Sequence, residues 1–224
     1  MSNLFKLTAL VAVSLACSAA QAITYTTPAI KSGAASGATF TAVGGSLVIK
    51  NVWGVTGVGV SGGRTSDEID IGEKIIATFA QPAYVTGIQL SYLYDGPEFA
   101  DVQERAKITA TFADLTTATY TLVAKYNSTY TWNGLGSVLG PVSNTDANGG
   151  AWSLTNPFGH HAIKSLSFTA AEGSCGYGAC TNQSDYALRS ITTAPIPEPE
   201  TYALMLAGLG CVGFIARRRK VVQG

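Results

Sequence analysis

Little in this sequence could hold a transition metal or run acid–base chemistry. The chain has 224 residues but only two His and four Cys, and charged residues make up 12%. His160 and His161 are adjacent, and neighbouring side chains of a strand point to opposite faces, so the pair could not ligate one metal from a regular strand. There is no Gly-x-Ser-x-Gly, no His-Glu-x-x-His and no phosphate-cradling glycine loop. No long helical period exists in the body of the chain; 98–106 is the one stretch with the composition for a turn or two of helix.

Charge is missing in a second sense. Setting aside Lys6 and the four cations at 217–220 leaves 9 of the 14 basic residues, and setting aside Glu198 and Glu200 leaves 12 of the 14 acids, so 23–196 carries a formal −3. A nucleic-acid backbone needs a basic face, and this balance excludes that partner class.

What is present is alternation. Residues 74–79, 85–94, 106–112, 119–124, 162–169 and 187–192 alternate apolar and polar side chains at period two, the strand period, and are rich in Thr, Val and Tyr. Turn residues separate them at Gly44-Gly45, Gly62-Gly63, Asp95-Gly96-Pro97, Asn148-Gly149-Gly150 and Asn156-Pro157. In 85–94 the set Thr86, Ile88, Leu90, Tyr92 and Tyr94 is assigned to the core, and 24–37 reads as an edge strand followed by a small-residue loop. Many short strands joined by such turns predict an all-β fold: one β-sandwich of Greek-key or jelly-roll type over 23–196, long enough for its own core.

The two ends of the chain read differently from this body. Residues 1–22 have Lys6, an apolar run over 7–16 and the small-residue site Ala20-Gln21-Ala22, the pattern of a secretory signal peptide whose removal by signal peptidase leaves Ile23 first. Residues 201–216 hold no charge and, as a helix, would rise roughly 24 Å, approaching the thickness of a bilayer core. Arg217, Arg218, Arg219 and Lys220 follow, able to snorkel to the interface and marking the cytoplasmic side, with 221–224 beyond them. On the other flank Pro195, Pro197 and Pro199 hold the chain extended, and Glu198 and Glu200 resist entry into lipid. Both ends predict one topology: a signal helix, an exported 23–196 domain, and a transmembrane helix over 201–216.

Pro197-Glu198-Pro199, the apolar segment and the Arg-rich stretch together resemble the PEP-CTERM sorting signal of Gram-negative bacteria over 197–220. That resemblance implies recognition by an exosortase-type membrane protease, cleavage near the motif, and a link to exopolysaccharide. The expected course is anchoring in the inner membrane with the domain in the periplasm, then delivery to the cell surface or outside.

Export bears on the cysteines. Cys17 falls in the signal and Cys211 in the apolar segment, leaving Cys175 and Cys180, for which a disulfide is the default in an oxidising compartment. The densest acidic cluster is Asp67, Glu68, Asp70 and Glu73. Alternation would turn Ile69 and Ile71 inward and Glu68 and Asp70 outward, where they could bind Ca²⁺ or stand as a solvated edge beside Arg64. No other cofactor is implied. Trp53, Trp132 and Trp152 read as core or rim packing, with stacking on sugar as the sharper alternative. Asp95, Glu98, Asp101 and Glu104 could supply the carboxylate pair of a glycan hydrolase, at a separation sequence does not give. The resulting expectation is a non-enzymatic exported surface or extracellular-matrix protein. A calcium- or carbohydrate-binding module is the first rival and a glycan hydrolase the second.

Overall fold

The computed structural model describes residues 21–94, 101–125, 129–139, 150–175, 184–197, 203 and 205–213, with side-chain placement omitted at 101–102 and 174–175. Thirteen strands and one short helix follow in order: β1 (Ile23–Thr26), α1 (Thr27–Lys31), β2 (Ala34–Ala35), β3 (Ala38–Val43), β4 (Leu47–Val52), β5 (Val55–Val60), β6 (Lys74–Ser91), β7 (Asp101–Phe112), β8 (Thr117–Lys125), β9 (Thr129–Trp132), β10 (Ser137–Leu139), β11 (Trp152–Thr155), β12 (Ala162–Cys175) and β13 (Ala187–Pro195). The fold is all-β, and every ladder between named strands is antiparallel.

All thirteen strands join one hydrogen-bonded network, in the order β4-β5-β13-β6-β12-β7-β8-β9 with β1, β2, β3, β10 and β11 branching from it. The 18-residue β6 makes this possible, because its two halves have different neighbours. Residues 74–79 lie between β3 and β12, whereas 83–91 lie along β13, with β12 still opposite at 83–84 and β11 at 87–90. The change falls at Pro82, which has no N–H to give a ladder. Opposite it the β12 register jumps from Ile163↔Ala83 to Ser165↔Thr78, so residues 79–82 of β6 form a bulge. A bulge of this kind bends the strand and lets it serve two parts of the sheet.

Alternation sorts most faces as the sequence predicts, but in 85–94 Ser91 and Leu93, expected outward, are buried, and Thr86 and Tyr94, expected in the core, are only half-buried. Inward rows run Phe40, Ala77, Leu166, Ala110 and then Ile75, Phe168, Ile108, all nearly or fully buried. Ile88, Leu90 and Tyr92 are buried as expected, and so is Val85, because β13 shifts register between Thr192 and Thr193. Trp152 closes one end of the core with its indole N–H donated to the Leu93 carbonyl at 2.8 Å. Burying such side chains contributes about 1.5–3 kcal/mol each, and these rows supply the core of the domain.

The other face of the half-sheet β3-β6-β12-β7-β8 is of a different kind. One row across all five strands reads Thr39, Thr78, Ser165, Thr111, Thr117, every position a hydroxyl. The next reads Thr41, Ile76, Ser167, Thr109, Thr119. Beyond these, Lys74 lies opposite Val43, Lys107 between Thr169 and Thr121, and Arg105 between Ala171 and Val123.

One expectation holds only in part and another fails. The segment 24–37 is an edge strand, then a turn of helix at α1 with Pro28 in its first turn, then β2. Of the stretch 98–106 expected to make a helical turn or two, 101–106 is strand, its pairing with β12 and β8 overriding local preference.

Candidate functional site

The acidic loop, residues 61–73, connects β5 to β6 and is folded tightly back on β5. Close approach depends on glycine. A Cβ at Gly59 would stand 2.2 Å from the Asp67 carbonyl oxygen, and one at Gly63, where φ is +56°, would stand 2.0 Å from Asp70 Oδ2. The loop is tied down by the backbone N–H of Val60 to the Glu68 carbonyl at 2.9 Å and that of Ile69 to the Tyr186 carbonyl at 2.7 Å.

Its carboxylates turn inward. Glu68, Asp70 and Glu73 are 4%, 5% and 4% exposed, which overturns the outward placement expected for Glu68 and Asp70. Of the isoleucines expected inward, Ile69 is buried but Ile71 is exposed, because 67–73 forms only isolated bridges and strand alternation does not run through it. Asp70 Oδ2 accepts the backbone N–H groups of Arg64 and Thr65, the latter at 2.8 Å, capping the turn that the glycines allow. Glu73 Oε2 accepts the Asp70 N–H at 3.1 Å. Asp185 Oδ2, also buried, accepts the Thr65 hydroxyl at 2.7 Å.

The ion partner of the loop is Lys50 on β4, 3.1 Å from Glu68 Oε2 and 3.4 Å from Asp67 Oδ1. Its ammonium also lies 5.0 Å from the centre of the Tyr92 ring. Tyr92 is buried at φ 62°, donates its hydroxyl to the Val55 carbonyl and accepts the Val52 N–H at 3.0 Å, pinning the β4–β5 hairpin. Burial pushes the Glu68 carboxyl up to about 9; the nearby Asp185 adds to this and Lys50 opposes it. For Lys50, burial acts downward, but the charges of Glu68 and Asp67 and their hydrogen bonds outweigh it and leave the ammonium above its usual range. Burial likewise raises Glu73, against the Asp70 N–H bond, and raises Tyr92 and Tyr186. Glu68 Oε1 and Glu73 Oε1 have no hydrogen-bond partner, consistent with carboxyls that favour the neutral form.

Asp67, Glu68, Asp70 and Glu73 therefore act chiefly as ties for their own loop. Among the described residues no three His, Cys, Asp or Glu side chains are grouped as a metal ion would need. Lys50 and Asp185, and the part Tyr92 plays at this site, escaped the sequence reading because all three lie outside the 61–73 segment and meet it only in the fold. The one cue was a lone Lys inside the apolar run of 47–52.

The aromatic and histidine candidates separate. Trp152 is core, Trp132 is half-buried against Tyr120 at 5.8 Å, and Trp53 is 82% exposed. His160 meets the edge of Tyr84 and His161 packs on Phe112, each on a different ring. Glu104 is buried and accepts the Tyr94 N–H. Asp95, Glu98, Ala20, Cys180, Glu198, Pro199 and the cations at 217–220 lie outside the described residues, as does the side chain of Cys175 that the disulfide reading requires.

The two ends of the domain meet. Ile23 pairs with Thr193 on β13, and Pro195, the last residue of β13, pairs with Ala83. A cavity of about 290 Å³ at this corner is lined by Ile23, Tyr25, Phe79, Pro82, Pro195 and Ile196 among others. Pro197 is exposed, and 205–213 is helical with Met205, Leu206, Leu209 and Val212 all more than half exposed. A Cβ at Gly208, Gly210 or Gly213 would meet nothing within 4 Å, so no side of this helix is packed on the sheet there. Among the described residues no helix is long and apolar enough to cross a membrane.

Residues 195–220 match the family of the PEP-CTERM protein-sorting motif. The chain carries a PEP-CTERM sorting signal. It is thereby an exported protein sorted through an exosortase, a membrane protease, and the match begins where β13 ends. No curated protein and no solved structure matches the chain, so the β domain ahead of the PEP-CTERM signal is read from its own geometry.

Proposed function

We propose that 23–196 is a β-sandwich surface or extracellular-matrix domain without a catalytic role. It is held at the inner membrane by a helix over 201–216 and released by cleavage near Pro197-Glu198-Pro199. The observation that carries this is the position of the sorting motif: it starts on the final residue of β13 and leads into an apolar helix unpacked against the sheet. An extended, exposed peptide such as the one at Pro197 suits a protease cleft, and a helix apolar on all sides calls for a lipid environment. Because Ile23 pairs two residues from Pro195, the sites of signal-peptidase and exosortase action emerge at one corner of the domain. Cleavage at either end then leaves the sheet intact. The domain's clustered carboxylates are engaged within the 61–73 loop, which favours a structural over a catalytic reading.

Replacing Arg217, Arg218, Arg219 and Lys220 by neutral residues is the test. Loss of the orienting charges is expected to leave uncut precursor, read as the ratio of precursor to processed band in cells. Processing at the normal rate would overturn the proposed anchoring.

A further inference from the structure

We propose that the outer face of the half-sheet β3-β6-β12-β7-β8 is a binding surface for an acidic polysaccharide, a polymer carrying both hydroxyls and carboxylates. Every strand contributes, through the row from Thr39 to Thr117 and the row beside it. Strands repeat about every 4.8 Å and alternate residues about every 6.7 Å, so the hydroxyls form a lattice roughly 20 Å wide. Each Thr or Ser hydroxyl can donate once and accept twice, the capacity a sugar hydroxyl has. Thr109 and Thr119 already exchange one such bond, at 3.2 Å. No single bond of this kind is strong, and a polymer that meets many of them is the ligand such a lattice suits.

Charge selects an acidic polymer over a neutral one. Lys74, Lys107 and Arg105 stand on this face, and no Asp or Glu occupies any position of the rows. Of the acids near these rows, Glu104 is buried on the opposite face, Asp101 and Glu172 lie beyond the Arg105 row, and Asp114, in the β7–β8 turn, accepts the Thr116 N–H and hydroxyl. This is a local excess of positive charge on a domain of formal −3. Among the described residues no carboxylate forms an ion pair with Lys74 or Lys107, whereas Lys50 is paired twice. The exposed Trp53 sits at the β4–β5 turn, away from these strands, so recognition here rests on hydrogen bonds and charge and not on ring stacking.

The inference rests on the export reading only in that such polymers lie outside the cell, and that reading is checked separately by the precursor ratio. The direct test uses the full-length chain in detergent, with binding to polygalacturonate, dextran and polyphosphate measured at low salt. Polygalacturonate should bind at least tenfold more tightly than dextran. The Lys74→Gln/Lys107→Gln variant should weaken polygalacturonate binding about tenfold, and Thr109→Val/Thr119→Val about threefold, each with an unchanged melting temperature. Lys31→Gln, on α1, should bind as wild type. No binding to polygalacturonate, equal binding of dextran, or an unaffected double lysine variant would overturn the proposal. So would polyphosphate binding as tightly as polygalacturonate, since that would make the surface a charge patch indifferent to hydroxyls.

Discussion

The 61–73 loop and the segment from Pro197 onward invert the usual reading of hydropathy in opposite directions. In the loop Glu68, Asp70 and Glu73 are buried; in the tail Met205, Leu206, Leu209 and Val212 are exposed. The loop can bury charge because each carboxylate finds a tie within reach: two backbone N–H groups for Asp70, one for Glu73, the Lys50 ammonium for Glu68. The tail has no such internal partners, and its apolar surface is matched by what lies outside the fold. One region is explained by the domain alone and the other only by its destination.

The largest effect should come from putting charge where the tail expects lipid. Leu206→Glu with Leu209→Glu carries an insertion cost of about 5–7 kcal/mol for the two carboxylates, enough to abolish membrane retention. Fractionation should move the chain to the soluble fraction, while the melting transition of the β domain stays where it was. A shift in that transition would show that the tail packs on the domain and would erase the contrast.

Next comes Lys50→Ala. It takes the ammonium's hydrogen bond from the Glu68 carboxyl, neutral below about 9, and the cation from Asp67, and should cost about 1.5–3 kcal/mol in urea unfolding at neutral pH. Lys50→Met with Glu68→Leu removes both members and should recover most of that loss, a coupling that a double-mutant cycle reads directly. Additive losses would mean that the pair is not what holds the loop.

The pH dependence follows from the same group. Glu68 has its folded value raised from 4.5 to about 9, so the native state keeps a proton that the unfolded chain releases above 4.5. Its contribution to stability is complete below 4.5 and is lost as pH rises toward 9, with a slope of at most ~1.4 kcal/mol per pH unit. Glu68→Gln keeps the neutral shape and should flatten the curve across that window, measured by thermal unfolding at stepped pH. An identical slope in the variant would assign the titration elsewhere.

How much of this was legible in the sequence differs between the two regions. The strands were, because period-two alternation is local: 106–112, 119–124 and 187–192 all fall within strands. The tail was equally plain, since Pro197, the uncharged run and the cations are contiguous. The continuity of β6 through Pro82 was not, because a proline argues against a strand interior and only the bulge of 79–82 against β12 makes it acceptable. The burial of Glu68 and Asp70 was hidden for a similar reason. It depends on Lys50, Tyr186 and Asp185 from other strands, and on glycines whose role shows only when their neighbours are in place. The hydroxyl lattice sat in between: each strand shows its threonines, but the rows exist only once the register is known.

The smallest effect tests the most exposed large apolar side chain among the described residues of the folded part. Trp53 is 82% exposed and occupies the two-residue turn between β4 and β5, where Val52 pairs with Val55 and both turn residues have positive φ, 53° and 84°. Such a turn favours Asn-Gly, because a bulky side chain is strained at positive φ whereas Asn tolerates it. Gly54 already fits, so Trp53→Asn removes strain and forfeits almost no burial. A gain of about 0.5–1 kcal/mol in urea unfolding is expected. A loss instead would mean that the indole covers apolar surface in the folded domain, and Trp53 would then belong with the internally satisfied loop and not with the outward-directed tail.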